Sequence, residues 1–128
     1  PFVDAGILER NREAVERFGA CVTAVGVKDT IKIKDEEGFV AHTPARDSLC
    51  AVQTPQTFAF TFIKEAYERF FDRMEAGAVR IPVTDDAMVA EIYGGARVKL
   101  VEGSFENVKI TTPEDLGTAE TILAGRGN

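Results

Sequence analysis

Arg46, Lys32 and Lys109, together with the hydroxyls of Thr30, Thr54 and Thr84, are the side chains of this sequence best suited to hold an anion. A guanidinium presents a planar fork that matches two phosphate oxygens, and an ammonium adds a point charge. Arg46 and Lys109 could therefore neutralise a phosphate between them. If the segment between them closes as a hairpin, Thr30 and Arg46 stand side by side at its open end, a hydroxyl beside a guanidinium. Taken singly, each residue has an ordinary reading: a lone Lys or Arg is a solvated surface charge, and a Thr before Pro is a turn residue.

Other chemistries are poorly supplied. His42 is the single histidine and has no Ser or Cys nucleophile arranged around it, so a solvated or packing role is expected. One His and two scattered Cys cannot supply the usual zinc ligand set, and no metal site is expected. Cys21 and Cys50 lie in apolar, strand-like runs and read as reduced core residues. Neither GxGxxG nor GxxxxGK occurs, so no nucleotide site of the helix N-terminus type is expected within these residues.

The elements that must position these groups follow from pattern. Asp4 is a good N-cap, Ile7, Leu8, Ala14, Val15 and Phe18 share a helical face, and Gly19 stops the helix, which places the first helix at about Ala5 to Phe18. Ala20 to Val27 is apolar almost throughout, as a strand covered on both faces is. KDTIKIK and FVAHT then read as the two limbs of a hairpin around DEEG, closing on Gly38. Its alternating Ile31 and Ile33 give it one apolar face, and a hairpin of that kind is marginal alone. A second subunit is the expected support.

Leu49 to Val52 predicts a short return strand that TPQTF ends. Phe62, Ile63, Ala66, Tyr67, Phe70, Phe71 and Met74 predict a strongly amphipathic helix from Thr61 to about Gly77 with a core-facing aromatic stripe. Thr84-Asp85-Asp86 opens a short helix to Tyr93, and its carboxylates serve the cap, a ligand role, or both. Val98 to Glu102 and Asn107 to Ile110 read as strands, and Thr112-Pro113-Glu114-Asp115 caps a last helix to about Ala124, beyond which Gly125 to Asn128 is expected to fray. Strands alternating with helices imply an α/β layered sheet with the hairpin inserted.

The 128 residues, 45% hydrophobic and 28% charged, suit one globular domain. A net charge of −6 argues against nucleic acid or an anionic membrane as partner, so basic groups that matter must be locally focused. No apolar run approaches membrane-spanning length, and the cytoplasm is the expected location. The chain opens at Pro1-Phe2-Val3, without an initiator Met, and enters a helix at once, so further sequence upstream is expected.

A set of segments resembles the C-terminal half of the 2-C-methyl-D-erythritol 4-phosphate cytidylyltransferase family. They are Val27 to Lys32, Thr43 to Arg46, Ala51 to Phe58, Thr84 to Asp86, Val101 to Gly103, Asn107 to Thr111 and Thr112 to Leu116, in the family's order and across essentially the whole chain. Pro1-Phe2-Val3 looks like the continuation of that family's His-Asp-Ala-Ala-Arg-Pro segment. The family's glycine-rich loop, which holds CTP with its triphosphate and Mg²⁺, is not among these residues.

The resemblance implies an α/β, Rossmann-like nucleotidyltransferase with a three-layer sheet, the C-terminal part of a single cytidylyltransferase domain spanning 1–128. It also implies a β-hairpin dimerisation arm at about 28–47. By match to the motifs, Thr30 and Arg46 would contact the methylerythritol phosphate of the other subunit in a homodimer. Lys109 would neutralise charge near the α-phosphate under attack, with Arg46 the second catalytic cation, and Thr54 and Thr84 would shape the substrate pocket. Mg²⁺ or another divalent cation would come with CTP and be held mainly outside these residues, and these residues alone would be inactive. Two rivals carry related patterns: ribitol-5-phosphate cytidylyltransferase, with the same arm and a similar QTPQ segment, and a non-catalytic α/β dimerisation module.

Overall fold

The computed structural model describes residues 2–79 and 81–126. The first helix, α1, spans Ala5–Phe18, as its boundary residues dictate. The Asp4 carboxylate accepts the Ile7 N–H at 2.7 Å. Gly19, in the left-handed region at φ 81°, donates its N–H to the Val15 carbonyl at 2.8 Å and turns the chain into the sheet. The buried line of α1 is Ile7, Asn11 and Ala14, whereas Leu8 and Phe18 are exposed.

Strand β1, Ala20–Gly26, is buried from Ala20 to Ala24 and lies at the centre of a sheet ordered β4-β1-β5, with β4 at Cys50–Phe58 and β5 at Lys99–Glu102. β4 runs antiparallel and β5 parallel to β1. Alternation along β1 sends Cys21 and Thr23 to one face and Ala20, Val22 and Ala24 to the other. The first face meets α1 through Asn11. Its Nδ2 donates to the Ile7 carbonyl and to Thr23 Oγ1, both at 2.9 Å, and its Oδ1 accepts from Thr57 Oγ1 at 3.0 Å and Cys21 Sγ at 3.3 Å. Each polar atom of this buried amide is thus partnered, and burial pushes the Cys21 thiol up.

The opposite face is covered by α3, Asp86–Ile92, through its buried Ala87, Val89 and Ala90, and α2, Phe60–Glu75, packs on α3. The result is a helix–sheet–helix sandwich. The last helix, α4, Pro113–Arg126, returns to the chain's start, where Arg126 donates to the Phe2 carbonyl at 3.3 Å. Of the residues expected to fray, Gly125 and Arg126 instead form the end of α4, and positions 127 and 128 lie outside the described residues. Among the described residues no helix is long and apolar enough to cross a membrane.

Between β1 and β4 stands a two-stranded antiparallel ribbon, β2 at Ile33–Lys34 and β3 at Val40–His42, shorter than the limbs the pattern predicts. Its turn closes as expected on Gly38, at φ 92°, with the Asp35 N–H donating to the Phe39 carbonyl at 2.9 Å. Ile31, Ile33, Phe39 and Val40 are all exposed, Phe39 to 68%.

Four expectations need correction. TPQTF does not end the return strand: β4 continues through it to Phe58, because those residues pair with Ala20 to Val22 of β1. Asn107 to Ile110 forms no strand; the Asn107 N–H turns back to the Ser104 carbonyl at 2.9 Å and the Val108 N–H to Glu106. Cys50 is exposed rather than core. In the aromatic stripe of α2 only Ala66 is buried; Phe71 and Met74 are exposed, and the rings of Tyr67, Phe70 and Phe71 pack on one another, with the Phe70 ring 5.1 Å from that of Tyr93.

Candidate functional site

The segment Gln53-Thr54-Pro55-Gln56 interrupts the ladder of β4. Val22 pairs with Gln56 and Ala24 with Val52, so Thr23 alone spans the three residues Gln53, Thr54 and Pro55. A bulge of this kind re-aims the side chains it carries; the Thr54–Pro55 peptide within it is cis. The bulge is one wall of a cleft of about 940 Å³. The other walls are Thr84 to Asp86 at the start of α3 and Asn107 to Lys109 in the loop after β5.

Each wall is tied to the bulge by a side-chain amide. The Gln53 amide pairs with Ser104, donating to its carbonyl at 2.8 Å and accepting its N–H at 3.3 Å. Gln56 donates to Asp85 Oδ2 at 2.9 Å and accepts the Ala87 N–H at 2.9 Å. Asn107 donates to the Thr54 carbonyl at 2.6 Å. Gly103 is required beside Gln53, since a Cβ there would overlap the Gln53 side-chain oxygen and approach Thr23 Cγ2 to 2.8 Å.

Lys109 is the one cation among the described residues that line the cleft. The two carboxylates facing it are engaged by the protein. Asp85 caps α3 by accepting the Met88 N–H at 2.8 Å, besides holding Gln56, and Asp86 accepts from the Tyr67 hydroxyl. That bond, then burial, then the charges of Asp86 and Asp85 push the Tyr67 phenol up to about 12. The cleft thus offers one ammonium and the exposed hydroxyls of Thr54 and Thr84, with its two carboxylates hydrogen-bonded to neutral groups of the protein. Among the described residues no group of three or more His, Cys, Asp or Glu could hold a metal ion.

The structure thus brings together Thr54, Thr84 and Lys109. It does not bring Thr30 or Arg46 to that cleft: both are exposed at the base of the ribbon, where Arg46 donates to the Lys28 carbonyl at 3.1 Å and so closes the hairpin's open end. Lys32 donates to Thr43 Oγ1 at 2.8 Å across the ribbon. Gln53, Gln56 and Asn107 lie in segments the sequence singles out, but it gives their amides no role in the site. The signal available was two amides flanking Thr-Pro in a strand of otherwise apolar neighbours.

Comparison with known proteins places these features in context. Residues 1–125 match the family model described as 2-C-methyl-D-erythritol 4-phosphate cytidylyltransferase. A protein of that name from Alkaliphilus oremlandii is 46% identical over 126 residues, which is 98% of this chain and 50% of that protein. One from Lachnospira eligens is 43% identical over 125 residues, 98% of this chain and 53% of the other. Among solved structures, 4-diphosphocytidyl-2C-methyl-D-erythritol synthase from Anaerococcus prevotii superposes with a TM-score of 0.85 at 35% identity, covering 97% of this chain and 54% of that one. The chain spans about half the length of the curated relatives it matches.

Proposed function

The chain belongs to the 2-C-methyl-D-erythritol 4-phosphate cytidylyltransferase family, and we propose that it supplies the sugar-phosphate-binding and dimerisation part of an enzyme transferring CMP from CTP to methylerythritol phosphate. The observation that carries this reading is the convergence of Thr54, Thr84 and Lys109 on one cleft around the QTPQ bulge.

In this mechanism a phosphate oxygen of methylerythritol phosphate attacks the α-phosphorus of CTP. The new P–O bond forms as the bond to the β-phosphate breaks, and pyrophosphate leaves. Lys109 neutralises charge that develops at the α-phosphate, and Thr54 and Thr84 shape the pocket that holds the sugar phosphate with its attacking oxygen in line. No protein nucleophile is needed. The carboxylates at the cleft are committed to Gln56, the α3 cap and Tyr67, a donor set that does not fit Mg²⁺. The divalent cation is therefore assigned to the nucleotide and to residues outside this chain, with the glycine-rich loop that binds CTP.

Arg46 and Thr30 act in trans. Neither lines the chain's own cleft, and that, with the exposed Ile31, Ile33, Phe39 and Val40, supports a homodimer in which each ribbon reaches across to the partner's sugar phosphate. The enzyme works in the cytoplasm, without nucleic acid or membrane.

Pyrophosphate release by the assembled enzyme, measured side by side with methylerythritol phosphate and ribitol 5-phosphate, tests the assignment. Turnover is expected with the first and a kcat/KM about 100-fold lower with the second, the scale on which a pocket separates substrates that differ by a methyl or a hydroxyl group. Preference for ribitol phosphate would overturn it.

A further inference from the structure

Asn107 is the one buried residue between Gly103 and Thr112, at 7% exposure. The stretch from Ser104 to Thr112 joins no sheet ladder, so its path is set by a few specific bonds. Gln53 holds its start at Ser104, and Asp115, its carboxyl held below the usual range by the Thr111 and Thr112 N–H groups, holds its end. Between those anchors, the Asn107 amide is what crosses to the bulge, donating to the Thr54 carbonyl at 2.6 Å while its own N–H donates to Ser104 at 2.9 Å. Lys109 follows two residues later, at most about 7 Å along the chain.

We propose that Asn107 is a positioning residue: its amide fixes the separation between Thr54 and Lys109, facing walls of the cleft, and so sets where the Lys109 ammonium meets the reacting phosphate. This rests on the reading of the cleft given above. The residue type follows from the chemistry at the carbonyl. An aspartate of the same shape has no N–H to give and would set a negative charge against the Thr54 oxygen; an alanine leaves that oxygen unpaired and the loop free to drift.

The test is a double-mutant cycle in the assembled enzyme, with Asn107→Ala, Asn107→Asp, Lys109→Ala and the pair Asn107→Ala with Lys109→Ala. A displacement of about 1 Å at a reacting group can cost roughly 100-fold, and a loss of that order in kcat/KM is expected from either Asn107 change alone. The loss should fall on kcat, with both KM values changed little, because Lys109 acts on charge that develops only as the α-phosphate reacts. On the Lys109→Ala background, Asn107→Ala should change kcat/KM by no more than about twofold, because the group it positions is gone. Unfolding of each variant is followed in parallel, and if the alanine variant is unfolded under assay conditions the cycle is closed with Asn107→Asp alone and combined with Lys109→Ala. If the Asn107 loss is undiminished on the Lys109→Ala background, or falls on KM rather than on kcat, the positioning role is overturned and Asn107 is structural only. If Lys109→Ala itself turns over normally, the reading of the cleft fails, and the positioning role with it.

Discussion

Gln56 donates to Asp85 across 2.9 Å, joining the bulge of β4 to the N-cap of α3. The same amide accepts the Ala87 N–H, so one side chain satisfies a carboxylate and an unpaired helix-start donor together. Through it, the wall that carries Thr54 and the wall that carries Thr84 are one unit.

Gln56→Ala is therefore expected to destabilise the fold by about 1–3 kcal/mol, the cost of leaving part-buried polar groups unpaired. Denaturant unfolding would show a lower midpoint with an unchanged slope. An unchanged midpoint would mean that water replaces the amide at no cost and that the two walls are independent.

Two glycine substitutions should act in opposite directions. Gly103→Ala places a methyl group against Gln53 and Thr23, and is expected to cost about 1–3 kcal/mol, as overpacking does. Gly117→Ala lies within α4 with nothing within 4 Å of the new Cβ, and should stabilise by roughly 0.5–1 kcal/mol. Thermal unfolding of both distinguishes a packing requirement at Gly103 from a general glycine effect.

The phenol of Tyr67 is expected to ionise only near pH 12. Its folded value lies above the ordinary 10.0, so the stability it contributes is complete below pH 10 and is lost as pH rises from about 10 towards 12. In a Tyr93→Phe variant, the phenolate absorbance should therefore appear near the upper value, and adding Asp86→Asn should bring it back towards the lower one. A titration midpoint near 10 with Asp86 intact would show that the hydrogen bond is not made.

Much of the scaffold was legible because it depends on local rules. Asp4 and Gly19 bound α1 at the residues expected, the apolar run after Gly19 is the buried central strand, and Asp35 to Gly38 forms the turn. What was misread depends on distant partners. Pro55 looked like the end of a strand, but pairing with β1 carries β4 past it by way of the bulge. Val108 and Ile110 suggested a strand, yet that segment's bonds go to a turn and to a bulge carbonyl. The stripe of α2 has helical spacing but only Ala66 is buried, since helical period tells which face is apolar and not what covers it. Of the candidate site, Thr54, Thr84 and Lys109 were named from residue type, and they line one cleft. The amides that hold them together could not be assigned without the register.

The most direct test of the central claim, that the ribbon serves the neighbouring subunit's cleft, is activity after mixing two inactive forms of the assembled enzyme, one Arg46→Ala and one Lys109→Ala. In a mixed dimer one cleft combines intact Lys109 with intact Arg46 from across the interface. With random exchange in an equal mixture, about half the dimers are mixed and each has one working cleft, so recovery of roughly a quarter of the wild-type rate is predicted from this two-fold arrangement. No recovery, once subunit exchange is confirmed, would contradict the account and return Arg46 to its own subunit's site or to none.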